Sequence, residues 1–170
     1  MSKQRNIILT GFMGTGKSAV GTLLAQRLQR EFFDTDTLIE QASGQTIASV
    51  FAEKGEAYFR ELEKQVIRQV CQKQEVVIAT GGGAIVNVDN ATCLKESGTV
   101  ICLTASPETI VQRVQGNKDR PLLQGEEPLT KIRSLLTTRA EAYARADVTI
   151  DTSALNPSEV MAMILAVVQL

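Results

Sequence analysis

An α/β fold, in which helices cover both faces of a parallel β-sheet, is what the sequence predicts. Short apolar runs alternate along the chain with longer segments of helical periodicity. Such alternation is typical of a parallel sheet that is buried on both faces. The 170 residues suit one domain, and no repeat, low-complexity tract or interdomain linker divides them. We therefore expect a single three-layer domain over residues 1–170.

Five apolar runs are predicted to be the strands, because each is short and is flanked by turn or helix signals. They span residues 6–9, 31–34, 76–79, 99–103 and 148–150. The predicted helices span roughly residues 17–29, 46–72, 89–96, 107–115, 128–145 and 157–169.

Two of these helix starts carry a capping signal. Pro107 follows Ser106 and Pro157 follows Asn156, and a capping side chain before a proline is typical of a helix N-terminus. Residues 116–128 are instead rich in turn-forming residues and polar apart from two leucines, so this segment is predicted to be a long exposed loop.

The composition argues against several classes of protein. The formal net charge is −1 and the pI is about 5.6, whereas general nucleic-acid binding usually needs a basic stripe. No apolar run approaches the roughly 20 residues that span a bilayer, and the start, MSKQRN, lacks the apolar core of a signal peptide. We expect a cytoplasmic protein without a nucleic-acid or membrane partner.

The cysteine and histidine contents limit the possible chemistry. Cys71, Cys93 and Cys102 form no C-x-x-C pair, so neither a disulfide framework nor a zinc knuckle is expected. The chain has no histidine, which excludes Ser-His-Asp and Cys-His catalysis and H-E-x-x-H metal sites. Catalysis must come from carboxylates, lysine, arginine, hydroxyls, backbone groups or a bound ion.

The segment IILTGFMGTGKS carries the most specific motif. Gly11, Gly16, Lys17 and Ser18 satisfy the pattern G-x-x-x-x-G-K-[ST] between a predicted strand and a predicted helix. Glycines let backbone N–H groups converge on phosphate oxygens, and the helix N-terminus adds partial positive charge. Lys17 would reach the β- and γ-phosphates and Ser18 would bind Mg²⁺. The motif predicts a nucleoside triphosphate site, but not the fate of the phosphate.

A guanine-nucleotide switch and a phosphotransferase both use such a loop. The switch would need an N-K-x-D motif after a strand and a D-x-x-G motif. The nearest match to N-K-x-D is NKD at 117–119, which has the wrong spacing and follows a predicted helix. No D-x-x-G is present in the sequence. A phosphotransferase needs a carboxylate for the acceptor, cations for the acceptor and the transition state, and a means of excluding water. The chain supplies candidates for these parts.

The segment FFDTDTLIE places two aspartates at the end of the second predicted strand. In extended backbone, Asp34 and Asp36 would point to the same side, at the strand end where parallel sheets bind ligands. One could hold Mg²⁺ through water while the other orients an alcohol. The alternative is that they cap the next helix.

Two arginines are candidate anion ligands. Arg60 lies three residues before Glu63 on one predicted helix face, and Arg139 lies four residues before Tyr143 on another. The planar guanidinium suits bidentate binding of a carboxylate. The alternatives are a solvated ion pair and an exposed helical arginine.

With these pieces in order, the chain resembles the shikimate kinase family over essentially its whole length. The matching segments are GFMGTGKS, FFDTD, GEAYFRELE, TGGGAIVN, RPLL, R-x-x-x-Y at 139–143 and NP at 156–157. The resemblance implies a P-loop kinase fold with strand order 2-3-1-4-5, a mobile lid at about 116–126 and an acceptor-binding region at about 34–63. It also implies transfer of the γ-phosphate of ATP, with Mg²⁺, to the 3-hydroxyl of shikimate, in aromatic amino-acid biosynthesis.

The resemblance further implies roles for particular residues. Asp36 would hold the reacting hydroxyl and act as the base, and Lys17 and Arg120, the latter from the lid, would act on the phosphates. Shikimate would be bound by Asp36, Arg60, Gly81, Gly82, Gly83 and Arg139. ATP would be bound by Gly11, Gly14, Thr15, Gly16, Lys17, Ser18, Ala19, Arg113, Arg120 and Pro157, with Arg113 and Pro157 as the walls of the adenine site. Ser18 and, through water, Asp34 would bind Mg²⁺.

The three consecutive glycines are interpreted as leaving room for the acceptor ring, because side chains there would occupy its space. They could equally form a tight strand-to-helix turn. One departure from the family pattern is Glu141, where proline is usual, so the local start of the helix could differ. Two alternatives stay open, namely a kinase for gluconate or a nucleoside monophosphate, and a non-catalytic nucleotide-binding module. A monomer is expected, because no heptad or long exposed apolar stripe demands a partner.

Overall fold

The computed structural model describes residues 5–115 and 127–168. Its sheet has five parallel strands in the order β2-β3-β1-β4-β5, which confirms the implied fold. The strands are β1 (Asn6–Thr10), β2 (Phe32–Asp34), β3 (Val77–Ala79), β4 (Gly98–Thr104) and β5 (Val148–Asp151). Every predicted strand agrees with an observed one to within one residue at each end.

Helices cover both faces of the sheet. Within the described residues they are α1 (Lys17–Leu28), α2 (Thr35–Ser43), α3 (Ile47–Val70), α4 (Val88–Ser97), α5 (Pro107–Val114), α6 (Pro128–Tyr143) and α7 (Pro157–Val168), with a 3₁₀ turn at Ala84–Val86. Both capping signals are confirmed. The Ser106 hydroxyl accepts a hydrogen bond from the N–H of Thr109, and the Asn156 side chain accepts one from the N–H of Glu159.

The core lies on both faces of the sheet because alternate strand residues point in opposite directions. Ile8 of β1 belongs to a buried cluster with side chains of α3, α4, α5 and α6. Its neighbours Ile7 and Leu9 belong to a second cluster with side chains of α1 and α7. All five residues of β1 are buried, as expected for the central strand of a parallel sheet.

Two helical features differ from the prediction. Helix α2 was not predicted, and the extended backbone expected through Asp36 is wrong, because β2 ends at Asp34 and α2 begins at the next residue. The helix predicted over 46–72 is interrupted at Gly55, whose φ of 84° and ψ of 171° are not helical. Glycine reaches this left-handed region at no steric cost, so two helical segments meet there at a kink.

None of the helices in the described part of the chain is both long enough and apolar enough to cross a membrane. Cys71, Cys93 and Cys102 are free thiols.

Candidate active site

The loop between β1 and α1 is built from glycines with left-handed backbone. Gly11, Gly14 and Gly16 have φ of 132°, 76° and 94°, which side chains rarely adopt. Gly16 is the N-cap of α1 and provides no side chain to its first N–H groups, so they are available to an anion. The ammonium of Lys17 donates to the carbonyl of Phe12 at 2.8 Å and is largely buried by the loop.

A cavity of about 200 Å³ lies beside this loop. Glycines, a lysine, a hydroxyl and two aspartates line it, which is the residue set expected for triphosphate, metal and acceptor hydroxyl. The lining residues are Met13, Gly14, Gly16, Lys17, Ser18, Ala19, Asp34, Asp36, Thr80 and Gly82. The structure therefore brings most of the predicted phosphate-side residues together.

Asp34 and Asp36 reach this cavity by different backbone routes. One carboxylate oxygen of Asp34 caps α2, accepting from the N–H of Asp36 at 2.9 Å, and the other accepts from the Ser18 hydroxyl at 2.6 Å. Asp36 lies in the first turn of α2. The capping alternative is thus correct for Asp34, yet both carboxylates still line one cavity.

A second cavity of about 370 Å³ contains both candidate carboxylate ligands. Arg60 donates to Glu63 at 2.9 Å and contacts Glu56 at 3.3 Å. Arg139 is only 6% exposed, and its guanidinium carbon lies 5.5 Å from the centre of the Phe12 ring. Arg139 is therefore not the exposed helical arginine of the alternative interpretation.

The three glycines lie where the two cavities adjoin, since Gly82 lines the first and Gly83 the second. A Cβ atom on Gly81 would stand 2.8 Å from an oxygen of Asp36, and one on Gly83 would stand 2.7 Å from a nitrogen of Arg60. Real Cβ contacts are not this short. The glycines at 81 and 83 therefore leave room for the charged side chains of Asp36 and Arg60, which pack directly against the glycine backbone.

Substituting Gly83 tests this explanation. Gly83→Ala should displace the Arg60 guanidinium from the backbone and raise the KM for the acceptor by about tenfold, the effect of losing roughly one charge-assisted hydrogen bond. The KM for the nucleotide should stay unchanged because its loop lies in the other cavity. Steady-state kinetics with each substrate varied in turn gives both values. An unchanged KM for the acceptor would contradict the explanation.

Glu63 is the buried partner of Arg60. It is 1% exposed, and its second oxygen, Oε2, has no hydrogen-bond partner among the described residues. Burial raises the pKa of Glu63 above its ordinary value, while Arg60 acts in the opposite direction and the nearby Asp36 adds to the rise. Glu63 thus holds Arg60 in place at an electrostatic cost.

The raised pKa has a consequence for stability. The folded protein binds a proton at Glu63 more readily than the unfolded chain does. The stabilisation is therefore complete below the unfolded pKa of about 4.3 and is lost as the pH rises through the higher folded value. The glutamine side chain of Glu63→Gln cannot ionise. The free energy of unfolding of this variant, relative to that of wild type, should therefore increase as the pH rises through that range. Urea unfolding between about pH 4 and pH 8 measures the difference, with Glu61→Gln on the exposed face of α3 as the control. Parallel pH curves for Glu63→Gln and wild type would contradict this.

On the nucleotide side, Arg113 is held by three hydrogen bonds. Its guanidinium donates to the carbonyl of Gly14 at 3.1 Å and to the hydroxyl and carbonyl of Thr152 at 3.0 and 2.9 Å. Arg113 therefore joins the glycine loop to the segment that leads to Pro157, the exposed first residue of α7. Their stacking on adenine stays a prediction, and Arg120 lies outside the described residues.

Sequence reasoning missed several lining residues. In the first cavity these are Met13 and Thr80. Sequence reasoning also missed Thr35, a buried residue outside the lining whose hydroxyl accepts a hydrogen bond from the N–H of Gly81 at 3.1 Å; its position between two aspartates was the available signal. The second cavity is also lined by Glu56, Val86, Asn87, Asn90 and Thr138; of these, only Glu56 had a local signal, its i,i+4 spacing to Arg60. Glu141 is exposed within α6, which begins at Pro128.

Comparison with known proteins places this geometry in a family. The model of the family described as shikimate kinase matches residues 13–169. Shikimate kinases of Pelotomaculum thermopropionicum and Geobacter sulfurreducens are each 46% identical to the chain, over 89% and 94% of its length and 88% of theirs.

Solved structures agree with the sequence relatives. A shikimate kinase from Acinetobacter baumannii in complex with shikimate has a TM-score of 0.95 at 40% identity, covering 98% of this chain and 93% of that one. The enzyme from Aquifex aeolicus has a TM-score of 0.85 at 36% identity, covering 96% of each chain. With the phosphate loop, the paired aspartates and the two arginines in place, the chain belongs to the shikimate kinase family.

Proposed function

We propose that the protein transfers the γ-phosphoryl group of ATP to the 3-hydroxyl of shikimate, giving shikimate 3-phosphate and ADP in the biosynthesis of aromatic amino acids. One observation carries the proposal. A phosphate-binding cavity adjoins a cavity that contains two arginines, and a run of glycines lies at their junction. Membership of the family and the likeness to a relative solved with shikimate support the choice of acceptor.

The acceptor's carboxylate matches the two arginines. Arg60 and Arg139 line the same cavity, and Gly83 lies against the guanidinium of Arg60. Guanidinium groups bind carboxylates bidentately. We assign both arginines to the carboxylate, which leaves the ring hydroxyls directed toward the first cavity.

Asp36 is the candidate base. Its carboxylate lies against Gly81, on the border between the two cavities, where an acceptor hydroxyl can approach the phosphate loop. In this mechanism Asp36 accepts the proton of the 3-hydroxyl while that oxygen forms a bond to the γ-phosphorus and the bond to ADP breaks. Lys17 stabilises charge on the phosphate oxygens. The chain thus contributes mainly positioning and electrostatic stabilisation, as phosphoryl transfer requires.

We also propose Ser18 and Asp34 as the protein side of a Mg²⁺ site. Their oxygens lie 2.6 Å apart beside the phosphate loop, and Mg²⁺ is usually held by one or two protein oxygens together with phosphates and waters. Among the described residues, no group of three or more acidic, Cys or His side chains could form an all-protein site, so this pair fits a nucleotide-bound ion. Such an ion would neutralise charge on the β- and γ-phosphates.

We infer that residues 1–170 act as one unit and as a monomer. Both cavities are formed by residues of a single chain. The acceptor region at about 34–63 contributes Asp36, Arg60 and Glu63, while α6 contributes Arg139. The proposal that residues 116–126 bring Arg120 to the γ-phosphate concerns residues outside the described ranges.

An assay of ADP release tests the function. Shikimate, gluconate and nucleoside monophosphates are offered in parallel with ATP and Mg²⁺, and turnover above the rate without acceptor is expected with shikimate. Turnover with gluconate or a nucleotide, and none with shikimate, would overturn the proposal in favour of another small-molecule kinase. ATP binding without turnover of any acceptor would favour a non-catalytic module.

A further inference from the structure

Tyr143 at the end of α6 contacts the glycine run directly. Its hydroxyl donates to the carbonyl of Gly82 at 2.7 Å, across 61 residues of sequence. Tyr143 is only 8% exposed, so water is largely kept from this bond. Burial raises the pKa of Tyr143 and Arg139 opposes the rise, so the hydroxyl stays protonated and able to donate throughout the neutral range.

Gly82 lies between two side chains of the same helix. A Cβ atom on Gly82 would stand 3.5 Å from a nitrogen of Arg139, and Arg139 precedes Tyr143 by one helical turn. Because a trans peptide points its N–H away from its carbonyl, holding the Gly82 carbonyl also sets the direction of the Gly83 N–H. Gly83 lines the cavity of the carboxylate ligands.

A second attachment to the same segment comes from Arg145, two residues beyond the end of α6. Arg145 donates to the carbonyls of Ile85 and Val86 at 3.1 and 3.3 Å. The last residue of α6 and a residue just beyond that helix therefore hold the segment 81–86 at two points.

We propose that Tyr143 is a positioning residue for the acceptor. Its hydroxyl fixes the Gly82–Gly83 peptide against Arg139, so that the backbone and the guanidinium present a single, preformed surface to the acceptor's carboxylate. The inference rests on the proposed function. It predicts that the hydroxyl matters for acceptor binding, whereas nucleotide binding and the phosphoryl-transfer step do not depend on it.

Tyr143→Phe removes the hydroxyl and keeps the ring. The KM for shikimate should rise by about tenfold, the effect of leaving a buried carbonyl without its donor. The KM for ATP and kcat should stay within about twofold of wild type, because the lost interaction stabilises the bound acceptor equally in the ground state and in the transition state. Tyr58→Phe is the matched control, since Tyr58 is the other tyrosine of the chain and is 42% exposed. It should match wild type in all three parameters.

Arg145→Met tests the second attachment and should raise the KM for shikimate by about threefold, in keeping with the longer hydrogen bonds. Thermal unfolding of each variant shows whether it is folded. An unchanged KM for shikimate in folded Tyr143→Phe, or an equal rise in its KM for ATP, would overturn the inference. Wild-type protein that does not turn over shikimate in the same assay would instead overturn the proposed function.

Discussion

Replacing Asp36 with asparagine is expected to lower kcat by a factor of about 100 to 10 000, the usual contribution of a general base. Asparagine has nearly the same size but cannot accept the proton of the acceptor hydroxyl. Asp36 lines the cavity of the phosphate loop, and its carboxylate lies against Gly81. Among the described residues, Asp34 is the one other carboxylate that lines this cavity. Both carboxylate oxygens of Asp34 already accept hydrogen bonds, one from the N–H of Asp36 at the start of α2 and the other from the Ser18 hydroxyl.

Nucleotide binding should survive this change. Isothermal titration with ADP is expected to give a Kd no more than about threefold above that of wild type. The loop residues Gly14, Lys17 and Ser18 are unaltered, and the change removes a negative charge from the cavity that would hold the phosphates. Glu61→Gln removes the same charge from the exposed face of α3 and should leave kcat unchanged. Undiminished turnover by Asp36→Asn would remove Asp36 from the mechanism.

Replacing Arg139 with alanine is expected to weaken shikimate binding on the order of 100-fold, the typical cost of truncating one partner of a buried charge pair. Arg139 is nearly buried and packs on the Phe12 ring. Burial raises the pKa of Glu63, and Arg139 lies close enough to that carboxyl to oppose part of the rise. Its loss removes a ligand of the acceptor's carboxylate and leaves Glu63 with less compensating positive charge.

The matched control is Arg133→Ala on the same helix. Arg133 is mostly exposed and pairs with Glu108 at 2.6 Å, so its truncation should leave the KM for shikimate unchanged. Titration with shikimate and with ADP separates the two substrates. A loss of ADP affinity equal to the loss of shikimate affinity in Arg139→Ala would contradict the assigned role.

Local patterns predicted the parts of the site that depend on neighbouring residues. The spacing of Gly11, Gly16, Lys17 and Ser18 determined the phosphate loop, because the motif, the preceding strand and the following helix are contiguous. The pairing of Arg60 with Glu63 followed from i,i+3 spacing on a helix and is observed at 2.9 Å. Strand positions followed from runs that are buried on both faces.

Features set by distant residues were not predictable in this way. The burial of Glu63 and the proximity of its carboxylate to Gly81 depend on how α3 packs on the loop after β3. Tyr143 and Arg113 bind backbone carbonyls 61 and 99 residues away. Helix α2 was missed for a local reason, since threonine and aspartate are poor helix formers and the extended backbone was expected to continue through Asp36, two residues beyond the end of β2.

The position of the transferred phosphoryl group on the acceptor tests the proposed function most directly. The protein is incubated with ATP, Mg²⁺ and shikimate, and the product is identified by phosphorus-coupled proton NMR. We expect one product, in which the phosphorus couples to the proton on the ring carbon that bears the 3-oxygen, and we expect it to form in the same amount as ADP. Phosphate on a different hydroxyl, or ADP released without any phosphorylated shikimate, would contradict the proposed function.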